Sequence, residues 1–161
     1  MSLLIEIENE IGFPIKRIES TDKTLSPYDE TFSFKLFQKY YRKENELQAL
    51  IEKTTRLLFV LEKEPNKDTR LIAYCFSLLG NMHYILKDFN KSIGCFMKSL
   101  SYNREDLTNW IELMFALRAH GNFMEFEGII FNLEKIYSLW LQDPAKELKK
   151  EKIYELISNA R

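Results

Sequence analysis

Residues 73–106, AYCFSLLGNMHYILKDFNKSIGCFMKSLSYNRED, and residues 107–140, LTNWIELMFALRAHGNFMEFEGIIFNLEKIYSLW, can be laid over one another without a gap. Apolar side chains coincide at Ala73/Leu107, Phe76/Trp110, Leu79/Leu113, Met82/Ala116, Ile85/Ala119, Phe89/Phe123, Phe96/Ile130 and Tyr102/Ile136. A period of about 34 residues is that of a helix–turn–helix unit, which cannot bury its apolar face alone and stacks on its neighbours. The two copies predict an all-α chain of stacked helical hairpins.

Within the first copy the spacing predicts helices over 68–86 and 89–102, with Asp68 as N-cap; within the second, over 106–120 and 123–141, with Asp106 capping. Upstream, Ser26-Pro27-Tyr28-Asp29-Glu30 has the form of a helix start, with an N-cap serine, proline at the first helical position and two acids in the first turn. A helix is expected from there to Lys43, with Phe34, Phe37, Tyr40 and Tyr41 as its stripe. A second should run from Glu46 to Lys63, with Leu47, Leu50, Ile51, Leu58 and Leu61 on one face and Pro65 beyond its end. Downstream, Asp143-Pro144 opens a final amphipathic helix carrying Leu148, Ile153, Leu156 and Ile157, the pattern of a polar-faced cap over an exposed stack end.

The N-terminal residues follow a different rhythm. Leu3, Ile5, Ile7, Ile11, Phe13 and Ile15 fall on odd positions and Glu6, Glu8, Glu10 and Lys16 on even ones, a period of two that reads as extended structure. Gly12 and Pro14 strengthen that reading. The expected organisation is thus an extended arm over 1–25 followed by one helical domain over 26–161. That domain comprises a divergent pair at 27–65, repeats at 73–106 and 107–140, and a capping helix at 143–160.

The repeated residues resemble the tetratricopeptide repeat family. Phe76 stands at its large aromatic position, Leu79-Gly80 at its Leu-Gly step, Phe89 at its turn aromatic and Phe96 at its second-helix aromatic; Trp110, Leu113 and His120-Gly121-Asn122-Phe123 match in the second copy. The copies also depart from the pattern. His83 replaces a common Tyr, Ser92 and Ser99 stand at small positions, Arg104 replaces the closing Pro, Met114 replaces a small residue and Phe126 stands where the family has Ala. The resemblance covers residues 73–140. It implies a right-handed TPR-like solenoid of about seven helices, in which the first helix of each pair lines a concave groove.

Composition narrows the function classes. The 161 residues carry 23 basic and 24 acidic side chains, a net charge of −1, so no long-range field draws in a polyphosphate and nucleic acid is disfavoured as a partner. No apolar run is long enough to span a bilayer, and the acid-containing N-terminus is unlike a secretory signal, so a cytoplasmic protein without membrane contact is expected. Cys75 and Cys95 lie among apolar neighbours in no CxxC arrangement and read as small core residues. His83 and His120 have no companion ligands at helical spacing, and no phosphate loop, nucleophile elbow or zinc signature occurs. The chain is expected to be no enzyme and to take no metal or cofactor.

The resemblance implies that ligand contacts come from the second, fifth, ninth and twelfth positions of each repeat. Carried over, these are Tyr74, Ser77, Asn81 and Tyr84 in the first copy and Thr108, Ile111, Phe115 and Arg118 in the second. Alignment of the divergent pair on Phe34 adds Lys35, Gln38 and Arg42. Aromatic anchors among amide and guanidinium donors suit an extended peptide. Asn81 and Arg118 are expected to face solvent. The family's acidic chaperone-tail ligand is disfavoured, because Thr108 and Glu112 stand where basic residues would be needed. The first reading is therefore a scaffold or adaptor that binds a peptide or partner helix, with a homodimer possible. The second is a cytosolic chaperone for exported proteins. A third, a helical RNA-binding repeat, rests on Tyr40-Tyr41-Arg42-Lys43 alone.

Overall fold

The computed structural model describes residues 2–12, 30–104 and 107–140. Among these residues the chain is all-α, with seven helices and no strand: α1 (Leu3–Ile11), α2 (Glu30–Tyr40), α3 (Glu44–Lys63), α4 (Thr69–Ile85), α5 (Phe89–Tyr102), α6 (Leu107–His120) and α7 (Phe123–Trp140). Residues 13–25 of the expected arm, the Ser26-Pro27 helix start, the Asp106 cap and the helix expected over 143–160 lie outside the described residues. Helices α3 to α7 fall where periodicity and punctuation place them, to within one or two residues.

The N-terminal expectation is corrected, because residues 3–11 are helix and not extended. Ser2 caps α1 by accepting from the Ile5 amide at 3.4 Å, and Gly12 closes it at φ 84°, donating its N–H to the Glu8 carbonyl. Only glycine takes that left-handed conformation without strain, so Gly12 ends a helix here and is no obstacle to one. Ile7 and Ile11 are buried, with Leu3 and Leu4 packed beside them, whereas Ile5 is exposed. That stripe has the helical period and rests on α3. In α2 the expected stripe is corrected in part. Tyr40 enters the core as expected, joined by Leu36, while Phe37 and Tyr41 meet outside it as tilted rings with centroids 5.0 Å apart.

Helices α4 and α5 make the closest pair, and sequence explains the closeness. A Cβ added at Gly80 would stand 2.6 Å from Cε1 of the buried Phe96, so the ring lies flush on the helix backbone. The Ser92 hydroxyl donates to the Gly80 carbonyl at 2.8 Å and the Ser99 hydroxyl to the Ala73 carbonyl at 2.6 Å. Residues 80 and 73 thus pair with 92 and 99, which makes the hairpin antiparallel. Small side chains at these sites satisfy buried oxygens while letting the helices approach.

The turns repeat too. Lys87 and Gly121, one period apart, are both left-handed at φ 61° and 83°. Lys87 donates to the Tyr84 carbonyl and Asp88 to His83; Gly121 donates to Arg118 and Asn122 to Leu117, giving the same helix closure twice. Asp88 and Asn122 then cap the next helix, accepting from the Lys91 and Glu125 amides. Arg42, at φ 59°, occupies the equivalent place two residues before α3.

Each helix from α3 onward packs on its chain neighbour. In addition, α4 touches α2 on one side and α6 on the other. On the opposite row, the Tyr102 hydroxyl of α5 donates to Glu62 of α3 at 3.0 Å. Two buried clusters result, one uniting α1 to α4 and one uniting α5 to α7.

Candidate functional site

Helix α4 carries the first set of expected ligand contacts, and its sequence makes it a central element. From Leu71 to Met82 every side chain except Phe76 is buried. A helix apolar on all sides must be enclosed by neighbours, and α2, α3, α5 and α6 enclose this one.

The polar residues on its α6 side are the informative ones. The Asn81 side chain donates to its own Ser77 carbonyl at 3.0 Å and to Glu112 Oε2 on α6 at 2.8 Å. Both residues are only 7% exposed. One turn along α4, the Arg118 guanidinium lies close enough to Tyr84 to favour its phenolate, against a larger upward push from burial that leaves the phenol pKa raised. The pairings 81 with 112 and 84 with 118 run in the same sense, so α4 and α6 lie parallel, side by side. A second tie joins the same elements at their other end, where Asn109 of α6 donates to the Ser99 hydroxyl that itself donates to the Ala73 carbonyl.

The expected contact residues therefore divide. Tyr74, Ser77, Asn81 and Ile111 are buried, Phe115 is half-buried, and Tyr84 and Arg118 are exposed; Thr108 stands in the first turn of α6. Both helices open toward their C-terminal ends. There Tyr84, 37% exposed, meets Phe89 edge to face at 5.2 Å, with the Arg118 charge acting on its phenol and Phe115 one turn before Arg118 on α6. The expectation that Asn81 faces solvent is corrected. Its amide donates to the buried Glu112 side chain, because a polar group removed from water costs free energy unless it is hydrogen-bonded. Lys35, Gln38 and Arg42 are exposed on α2 and the turn after it, and Arg42 lies over the Tyr41 ring at 5.2 Å.

The sequence places Glu112 where the family's acidic ligand would need a base; in the structure the side chain is buried between α6 and α4, bonded to Asn81. The signal lay in its setting, Trp110-Ile111-Glu112-Leu113-Met114, where four apolar neighbours leave few turns of the helix wet.

The remaining chemistry-bearing residues are spread apart. The Cys75 thiol is pushed up to about 12 and that of Cys95 to about 11, mainly by burial, so both are protonated thiols at neutral pH. His83 is held below the usual imidazole value by burial. Among the described residues no three His, Cys, Asp or Glu side chains gather as a metal site, and no helix is long and apolar enough to cross a membrane. In the comparisons with known proteins no family model, curated protein or solved structure matches this chain.

Proposed function

We propose that this chain is a non-catalytic protein-binding scaffold of tetratricopeptide-like helical hairpins, whose ligand-contacting wall is the row formed by α2, α4 and α6. The observation that carries the reading is the parallel α4–α6 pair. Its lower half is closed by the Asn81–Glu112 bond, and its upper end presents Tyr84, Phe115 and Arg118. A rigid, hydrogen-bonded floor fixes the spacing between the two helices. The open end then offers an aromatic ring, a half-buried apolar surface and a guanidinium, the residue types that dominate binding energy at protein interfaces. Because the buried members hold the wall and do not line it, the contact set contracts from the eleven expected positions. At the open end it comprises Tyr84, Phe115 and Arg118, with Lys35, Gln38 and Arg42 on the α2 side.

The test separates contact from support. Tyr84→Ala and Arg118→Ala are each expected to reduce capture of proteins from the native lysate by at least about tenfold, a loss of about 1.4 kcal/mol, with melting unchanged within a few degrees. Retained capture by both variants removes the wall as the binding site.

A further inference from the structure

Helix α1 is held unlike the other helices. It has 9 residues, and isolated helices shorter than about 12–15 residues are marginal in water, so its helicity depends on what it rests on. Its charges also work against it. Its charged residues are Glu6, Glu8 and Glu10, all acidic, and Glu10 stands in a last turn that holds no base, at the negative end of the helix dipole. Detached, this segment has little to keep it helical.

Docking supplies what the segment lacks. Leu3, Ile7 and Ile11 follow the spacing i, i+4, i+8 along one line of the helix; Ile7 and Ile11 are buried where α1 rests on α3, and Leu3 and Leu4 are half-buried beside them. Two lysines from other helices hold Glu10. Lys53 of α3 meets its carboxylate at 3.1 Å, and Lys39 of α2 donates to its backbone carbonyl. Both ties lie at the rim and are partly or fully exposed to water. The helices farther along are joined by buried bonds, Ser92 to Gly80, Ser99 to Ala73 and Asn81 to Glu112. The docked state also carries a cost. Tyr40, 2% exposed at the end of α2, has a hydroxyl without a hydrogen-bond partner, and the carboxylates of Glu10 and Glu46 lie near enough to oppose its ionisation. A buried hydroxyl left unpaired is destabilising, and water relieves it.

We propose that α1 is a releasable strap, a tethered helical ligand that folds on α3 and leaves it as a unit while α3 to α7 stay folded. Release removes Glu10 from beside Tyr40 and admits water to the phenol. It also bares a seat that fits apolar residues at i, i+4 and i+8 with a carboxylate at i+7 for Lys53. The occupant is the chain's own segment of residues 2–12. Residues 13–29 separate α1 from α2 and can span up to about 60 Å, so α1 leaves without drawing α2 with it. Sub-global opening of this kind belongs to elements with few buried apolar contacts and exposed polar ties, and α1 has both. The seat lies on α3, away from the α4–α6 pair, and the strap stands without the proposed wall.

Native-state hydrogen exchange on the full chain reads the opening. The amides of residues 7–12 are expected to share one protection, at least about a hundredfold below that of α4. Lys53→Glu should lower it at least about threefold further and leave α4 unmoved. A labelled peptide of residues 2–12 then probes the seat in trans by fluorescence anisotropy. It should bind the full-length Ile7→Ser chain, whose own α1 has lost an anchor, at least about tenfold more tightly than the wild-type chain. Adding Lys53→Glu to that chain should weaken the peptide, and a Glu10→Lys peptide should recover the loss. Circular dichroism should show Ile7→Ser folded, with Ile11→Ser in its place if it is not. Unfolding of both, protection of α1 equal to that of α4, no peptide binding, equal binding by wild type and variant, or affinity unmoved by Lys53→Glu each overturns the proposal.

Discussion

At the scale of single residues, the sharpest constraint is Gly80. Alanine is the better helix former by about 1 kcal/mol, yet its Cβ would meet the Phe96 ring at 2.6 Å, and that ring is buried with no room to swing away. Gly80→Ala is therefore expected to lower stability by about 1–3 kcal/mol in urea unfolding, with Phe96→Leu in the same chain recovering part of the loss. Phe96→Ala and Leu79→Ala, both emptying buried sites, should each cost about 2–5 kcal/mol. Asn81→Ala carries a prediction opposite in kind to that for a surface amide. It strips a buried carboxylate of a donor, and a cost of about 1–3 kcal/mol should appear in thermal melting whether or not a partner is present. Glu112→Gln, which keeps an acceptor oxygen for Asn81, should be the milder change. The Leu-Gly step and the aromatic at 96 stood out in the sequence through the family resemblance, and the structure supplies their physical reason in the ring lying flush on Gly80. The burial of Asn81 was not legible, because it depends on where α6 lands.

At the scale of elements, the turns carry the clearest expectations. Lys87 pays the left-handed penalty that Gly121 avoids at the equivalent position. Lys87→Gly should raise the unfolding midpoint by an amount worth about 0.5–1 kcal/mol, and Gly121→Ala should lower it by about 1 kcal/mol, both read by calorimetry. Helix α1 offers a contrast between burial and charge. Ile7 is fully buried against the core, so Ile7→Ala should cost about 2–5 kcal/mol or release the helix, seen as faster proteolysis near the N-terminus. The Lys53–Glu10 bridge at 3.1 Å is about one-third exposed at each end, and Lys53→Ala should cost less than about 1 kcal/mol. Period two and the helical period compete in this segment because Leu3, Leu4, Ile7 and Ile11 fit a helical stripe as well as Leu3, Ile5 and Ile7 fit a strand. Ser2 and Gly12 are local cap signals for the helix, which the period-two reading passes over. The apolar surface of α3 then decides which residues are buried, accepting Ile7 and Ile11 and leaving Ile5 in water.

At the scale of the whole molecule, two buried acids, Tyr40 and Cys75, and the half-buried Cys95 set an alkaline limit. Burial pushes the Tyr40 phenol and the Cys75 thiol up to about 12 and the Cys95 thiol to about 11, from ordinary values of 10 and 9. Each is held protonated by the fold, so its contribution is complete below the unfolded value and is lost as pH rises through the folded one. Urea midpoints should therefore be flat just below pH 9 and fall progressively between about pH 9 and 12; a flat profile across that window would mean these groups are wet. What the sequence by itself determined is the all-α class, the positions of α3 to α7 and the recurrence of the hairpin at 73–140. Those follow from periodicity, caps and left-handed turn positions, which act between residues a few apart along the chain. Only the tertiary structure decided that Ile7 and Ile11 and not Ile5 meet the core, that Leu36 and not Phe37 faces inward, and that Tyr74, Ser77, Asn81 and Ile111 are buried. Those outcomes depend on which surfaces of distant elements meet. A helix's own sequence specifies that it has an apolar face, but neighbours on two or more sides decide how much of the rest stays in contact with water.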